Sequence, residues 1–254
     1  NPLDFERWAS YDLPKWSYKN VLPYFKKLES WSGGENLYRG GSGPLKVNRS
    51  KIDNAFPLAK SLIKAAAEAG YDTFEDSNGF KQDGFGTFDV TIDNGKRQGV
   101  SRAYLNEIKG YKNLTIEHNT DVSKIIFKEK KAIGVEIKRN NHSQTYYCNK
   151  EVILSSGSIN SPKILQLSGI GDEKVLNKNG IDIIHHLPGV GKNLQDHLEV
   201  YIQHKSKTKD TLYNLSTNYF KQAVEGAKWF LLKKGMLTYS HLEVGGFVKT
   251  SEKY

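Results

Sequence analysis

The feature that most constrains this chain is a series of strand-like runs between residues 121 and 155. Residues 121–128 (DVSKIIFK) and 132–138 (AIGVEIK) are two such runs. A turn at Asn140 and Asn141 leads to 144–148 (QTYYC), and 151–155 (EVILS) follows. This spacing of strand and turn predicts an antiparallel meander. The last run differs from the others. Val152, Ile153 and Leu154 form an unbroken apolar stretch, which reads as a buried parallel strand. It ends in Ser155-Ser156-Gly157-Ser158, and a helical segment is expected from Ser161-Pro162, capped by Asn160 or Ser161. Gly157 lets a backbone approach a ligand closely, and a helix start offers unpaired N–H groups. A dinucleotide suits such a place, although a plain strand-to-helix turn reads the same way.

Around this segment the pattern is mixed. Residues 18–28 (YKNVLPYFKKL) are amphipathic, with Val21, Leu22, Phe25 and Leu28 apolar. A Gly-rich loop, including 39–44 (RGGSGP), precedes a short strand at Leu45 and Val47. Residues 57–69 have helical spacing, with Gly70 placed to end the helix. Residues 72–97 read as a long polar loop of the kind that carries function. A short helix is expected at 103–109 and a strand at 114–116. Beyond residue 168 the sequence predicts a turn, a helix over 173–179 ended by Gly180, a strand over 181–185, and a tight PGVG turn at 188–191.

Composition narrows the classes. The chain has 254 residues, 37% of them hydrophobic and 26% charged, which is ordinary for a globular protein. No apolar run approaches the roughly eighteen residues of a membrane-spanning helix. The formal charge is +9. The lysines are scattered and are not interleaved with aromatics on one face, so a Lys-rich surface is preferred over a nucleic-acid partner. A single cysteine, Cys148, excludes an internal disulfide framework, and no Cys/His spacing suits a metal. Both ends of the chain look cut rather than finished.

Several phrases then act together. GSINSPKILQLSGIG (157–171) is followed by HLPGVGKNLQDH (186–197). SGPLKV (42–47), EDSNGFKQDGFG (75–86) and GKRQGVSRAYL (95–105) precede them in order. In sequence and spacing these resemble the glucose–methanol–choline oxidoreductases, across essentially the whole chain. LPYFKKLE, YRGGSGPL, NLQDHLE and HLEVGGF are most similar to the choline-oxidising members.

The resemblance implies a mixed α/β fold. Residues 1–197 would be an incomplete doubly wound FAD-binding domain with an inserted meander, lacking its first βαβ unit. Residues 198–254 would begin a substrate domain built on an antiparallel sheet. FAD is the implied cofactor and choline the implied alcohol, with a quinone-type electron acceptor. Another alcohol or sugar, or a scaffold without activity, are the alternative readings. Val122 lies where relatives contact the adenine side of FAD through backbone, or is simply a strand residue. Ser156, Gly157 and Ser158 pass close to the cofactor. Asn193, Asp196 and His197 sit in the loop near the flavin. Asp196 could equally brace a turn, and His197 could serve packing. Glu243 matches the glutamate that meets the trimethylammonium group, with Phe247 and His241 on the same strand face. The alternative for Glu243 is an ordinary exposed carboxylate. No catalytic residue is expected in this chain, because the family's histidine would lie downstream of Tyr254. By the same resemblance the protein would associate peripherally with the mitochondrial inner membrane or a bacterial cell membrane.

Overall fold

A computed structural model gives the fold and describes residues 1–49, 57–140, 142–207, 211–238, 240, 242–249 and 251. Asn141, His241 and most of the tail from Thr250 onward lie outside the described residues.

In chain order, α1 (Pro2–Ala9) starts at Asn1, whose side chain accepts the N–H of Leu3 at 3.0 Å. The amphipathic stretch forms α2 (Tyr18–Leu28), with Val21 buried. Strand β1 (Glu29–Trp31) pairs in parallel with β2 (Leu45–Val47). Helix α3 (Pro57–Glu68) ends just before Gly70, whose φ of +87° suits a residue lacking Cβ. The segment read as a loop contains three short strands: β3 (Gly84–Thr87), β4 (Ile92–Asp93) and β5 (Lys96–Arg97). A π-helical turn, Ser101–Leu105, runs into α4 (Asn106–Ile108). The meander follows as β6 (Asp121–Lys128), β7 (Lys131–Arg139) and β8 (His142–Tyr147). Then come α5 (Gly157–Leu167), β9 (Ile170–Gly171), α6 (Glu173–Lys178) and β10 (His185–His186). The last elements are α7 (Leu212–Ser216), α8 (Tyr219–Leu232) and β11 (Val244–Phe247).

These elements form two compact units. One comprises residues 1–114 and 204–254, the other residues 115–203. In the first, β11 returns from far along the sequence to pair antiparallel with β3. Trp229 on α8 anchors that helix by donating its indole N–H to Gly95 O at 2.7 Å. In the second, β6–β7–β8 are antiparallel in that order, as the sequence predicts. Helix α5 packs on β6, and Ser168 at its end joins the two. The Ser168 hydroxyl accepts the Ile125 N–H at 2.8 Å and donates to Ile164 O at 2.5 Å. Ile125, Ile137, Ile164 and Leu176 are its buried apolar side chains.

Some sequence expectations fail. Val152–Leu154 joins no strand, and Ile153 is 79% exposed. A strand of a parallel sheet is held by neighbours on either side, and none of the described residues pairs with this one. Residues 114–116 are likewise irregular, and the strand over 181–185 shrinks to β10. Helix α5 begins at Gly157 rather than at Ser161, with Ser156 as its N-cap residue. Pro162 therefore lies inside the helix, where its missing N–H leaves the Ser158 carbonyl without its usual helical donor.

Candidate functional site

In the second unit, the start of α5 is the chemically distinctive place. Gly157 has φ +84°, and a Cβ added there would meet nothing within 4 Å. The glycine is required by its left-handed backbone, not by crowding. The Ser156 N–H donates to the Ser161 hydroxyl at 3.0 Å, which holds the turn. The N–H groups that open a helix lack carbonyl partners within it, and the macrodipole makes this end positive. Ser158 lies in this first turn, exposed. Backbone donors in open space beside small side chains fit the phosphate oxygens of a dinucleotide.

The loop from Asn193 to His197 reaches α5 through the preceding turn. The Gln166 side-chain amide donates to Val190 O at 3.3 Å. A Cβ on Gly191, at φ +78°, would stand 3.0 Å from Gln166 Nε2, so the turn rests closely on the helix. Asn193 is left-handed at φ +57°. Asp196 accepts the N–H of His197 at 2.8 Å, a bond that stays within the loop. All three residues are exposed. The contact is therefore between the 188–191 turn and Gln166 near the end of α5, not with Ser156–Ser158 at its start. Val122 lies on β6, an edge strand of the meander, opposite Ile137 and beside a register shift, and is 39% exposed.

In the first unit, Glu243 precedes β11 and is only 8% exposed. That burial excludes the ordinary exposed carboxylate. Its carbonyl accepts the Phe88 N–H at 3.0 Å, extending the β3–β11 ladder by one pair. Phe247, two alternations along, contacts Phe88 edge-on with ring centroids 6.1 Å apart. The place of His241 lies outside the described residues.

The GMC oxidoreductase family profile matches residues 1–199. The chain belongs to the GMC oxidoreductase family. It is 45% identical over 255 residues to an oxygen-dependent choline dehydrogenase of Staphylococcus xylosus, covering 99% of this chain and 45% of that protein. The mitochondrial choline dehydrogenase of Homo sapiens is 44% identical over 247 residues, covering 97% of this chain and 41% of that protein. A solved FAD-dependent oxidoreductase from Chaetomium thermophilum superposes with a TM-score of 0.82 at 32% identity, over 95% of this chain and 44% of that one. The chain thus spans less than half the length of these relatives.

In this GMC oxidoreductase, sequence reasoning missed the most polar cluster. Arg39, inside the Gly-rich loop, is 2% exposed. Its guanidinium grips Glu29 through two bonds (2.9 and 3.1 Å) and reaches Asp76 at 2.6 Å and Asp89 at 2.8 Å. It also lies over the Trp31 ring, 4.5 Å from the centroid. Burial pushes the Asp89 carboxyl up, against the pull of Arg39. Burial also works against the charged Arg39, but its bonds to Glu29 and Asp89 outweigh that and raise its pKa. The local signal was hidden, because Arg39 sits 37 and 50 residues from Asp76 and Asp89. Beside this hub opens a cavity of about 490 Å³, lined among others by Trp31, Asn36, Tyr38, Arg49, Phe74 and Lys81. Among the described residues no acidic, His or Cys cluster suits a metal, and no helix is long and apolar enough to cross a membrane.

Proposed function

We propose that the protein to which this chain belongs oxidises choline to betaine aldehyde with FAD as cofactor. The observation that carries the substrate reading is the buried carboxylate of Glu243 at the head of β11. A quaternary ammonium cannot donate a conventional N–H hydrogen bond, so its recognition needs negative charge and aromatic surface. Glu243 supplies the charge. Near-complete coverage of this chain by choline dehydrogenases of bacterial and human origin supports the same assignment.

FAD, when bound, accepts a hydride from the alcohol carbon. The residues of this chain bind and orient. Ser156, Gly157 and Ser158 offer backbone donors to the cofactor's phosphates, and Val122 meets its adenine side. Asn193, Asp196 and His197 line the flavin side. None of the chain's residues is assigned the transfer of the hydroxyl proton. Residues 1–197 belong to a doubly wound FAD-binding region, and 198–254 begin the substrate-binding region. The electron acceptor is of quinone type, reached at a membrane surface by peripheral association. The bacterial relatives are named for oxygen dependence, so the assay compares dioxygen with a soluble quinone.

The test is Glu243→Gln in the full-length, FAD-loaded protein. Choline is compared with its carbon isostere, in which the quaternary nitrogen is replaced by carbon. Affinity for choline should fall about tenfold or more, and that for the isostere by less than about twofold. Equal losses would remove the assignment of Glu243.

A further inference from the structure

The β3–β11 ribbon carries a second determinant beside Glu243. In this antiparallel pair Val244 faces Thr87, Gly245 faces Gly86 and Phe247 faces Gly84. The Phe88 N–H to Glu243 O bond continues that register, so Phe88 stands directly opposite Glu243. Residues opposite one another on an antiparallel pair project from the same face, with Cβ atoms about 5 Å apart. Along this face of β11, Gly245 separates Glu243 from Phe247, and Gly86 lies opposite Gly245.

Those two glycines are bare because aromatic rings occupy the space. A Cβ on Gly245 would stand 2.5 Å from the Phe88 ring. A Cβ on Gly86 would stand 2.5 Å from the ring of Phe74. Phe74 and Phe88 are stacked with centroids 6.3 Å apart at 25°, and Phe247 closes on Phe88 at 6.1 Å and 62°. The Phe88 side chain is therefore held by Gly245, Phe74 and Phe247. Its backbone is fixed by the bond to Glu243. Its ring leans over Gly245, on the same face of the ribbon from which the Glu243 side chain projects.

We propose that Phe88 is a positioning residue for Glu243. Locked onto the Gly245 and Gly86 floor, it sets the rotamer of the carboxylate and so the discrimination between a cationic and an uncharged alcohol. This rests on the reading of Glu243 given above. A smaller, flexible side chain at position 88 would uncover the floor and let the carboxylate turn away. A tyrosine would keep the ring and its packing.

The experiment uses the full-length, FAD-loaded protein and four forms: unaltered, Phe88→Leu, Phe88→Tyr and Glu243→Gln. For each, the dissociation constant and kcat/KM are measured for choline and its carbon isostere. Phe88→Leu should weaken choline about tenfold while changing the isostere less than about twofold. Phe88→Tyr should restore the unaltered ratio. If Phe88→Leu weakens both ligands equally while Glu243→Gln remains selective, Phe88 is structural only and the proposal is overturned. If Glu243→Gln itself is unselective, the reading of Glu243 fails first, and any selectivity of Phe88→Leu no longer acts through it. Should Phe88→Leu not fold, Gly245→Ala, which presses on the same ring, is read by the same ratio and the same criterion.

Discussion

At Arg39 one guanidinium neutralises parts of three carboxylates that are themselves mostly buried. Removing it leaves those charges uncompensated, which in buried networks costs about 3–5 kcal/mol. Arg39→Met should therefore lower the urea midpoint of unfolding sharply, and Arg39→Lys should not restore it, because lysine cannot make the forked contact to Glu29. Glu225 offers a test by pH. It is 8% exposed, bonds Lys228 at 2.6 Å and accepts the Met236 N–H at 2.7 Å. The Lys228 bond, and then the Met236 N–H, hold its pKa below the ordinary carboxylate value. A depressed carboxylate stabilises the fold above its unfolded pKa, about 4.3, and that stability is lost as pH falls through the lower folded value. Exchange of the Met236 amide should be protected at neutral pH and lose protection on acidification; Glu225→Gln should flatten that dependence. The neighbouring Gly235, at φ +95°, would place a Cβ 2.5 Å from Glu225 Oε2, so Gly235→Ala should destabilise by about 1–2 kcal/mol. At this scale the sequence was uneven. The phrase around Glu243 singles the residue out, but no local pattern foretells its burial. The Arg39 cluster has no local record, since Asp76 and Asp89 are brought to it by chain reversal, whereas Glu225 pairs with Lys228 at helical i,i+3 spacing, a spacing that does not foretell its burial.

Among the elements, Ser168 does for β6 and α5 what a longer interface does elsewhere. Its hydroxyl accepts the N–H of Ile125 on the meander's outer edge and donates to the Ile164 carbonyl of the helix. Ser168→Ala leaves that buried N–H unsatisfied and should cost about 1–3 kcal/mol in thermal or denaturant unfolding. The strands of the meander could be read directly from sequence, because segments of strand composition alternate with polar breaks, one of them at Asn140, which takes a left-handed φ of +49°. The start of α5 falls earlier than the sequence predicts, because Pro162, which suits a first helical turn, is also accommodated at this interior position. The left-handed Gly157 and the Ser156 to Ser161 bond start the helix earlier. The short strands β3 and β11 are rich in glycine, a weak strand former, and their pairing joins residues far apart. Composition alone points there to loop.

For the whole chain, exposure is the dominant fact. Phe80, Ile153, Leu198, Phe220 and Phe230 are among the large apolar side chains left in solvent. Such surface promotes association. The 254-residue chain produced alone should therefore bind a hydrophobic dye strongly, sediment as aggregates and retain no FAD; a yellow, monomeric preparation would contradict this. The run Val152–Leu154 gives the exposure a practical meaning. A strand-forming stretch whose main chain joins no ladder behaves as one side of a fastener, open to any matching edge. A separately made polypeptide bearing a matching edge is expected to pair with it in trans.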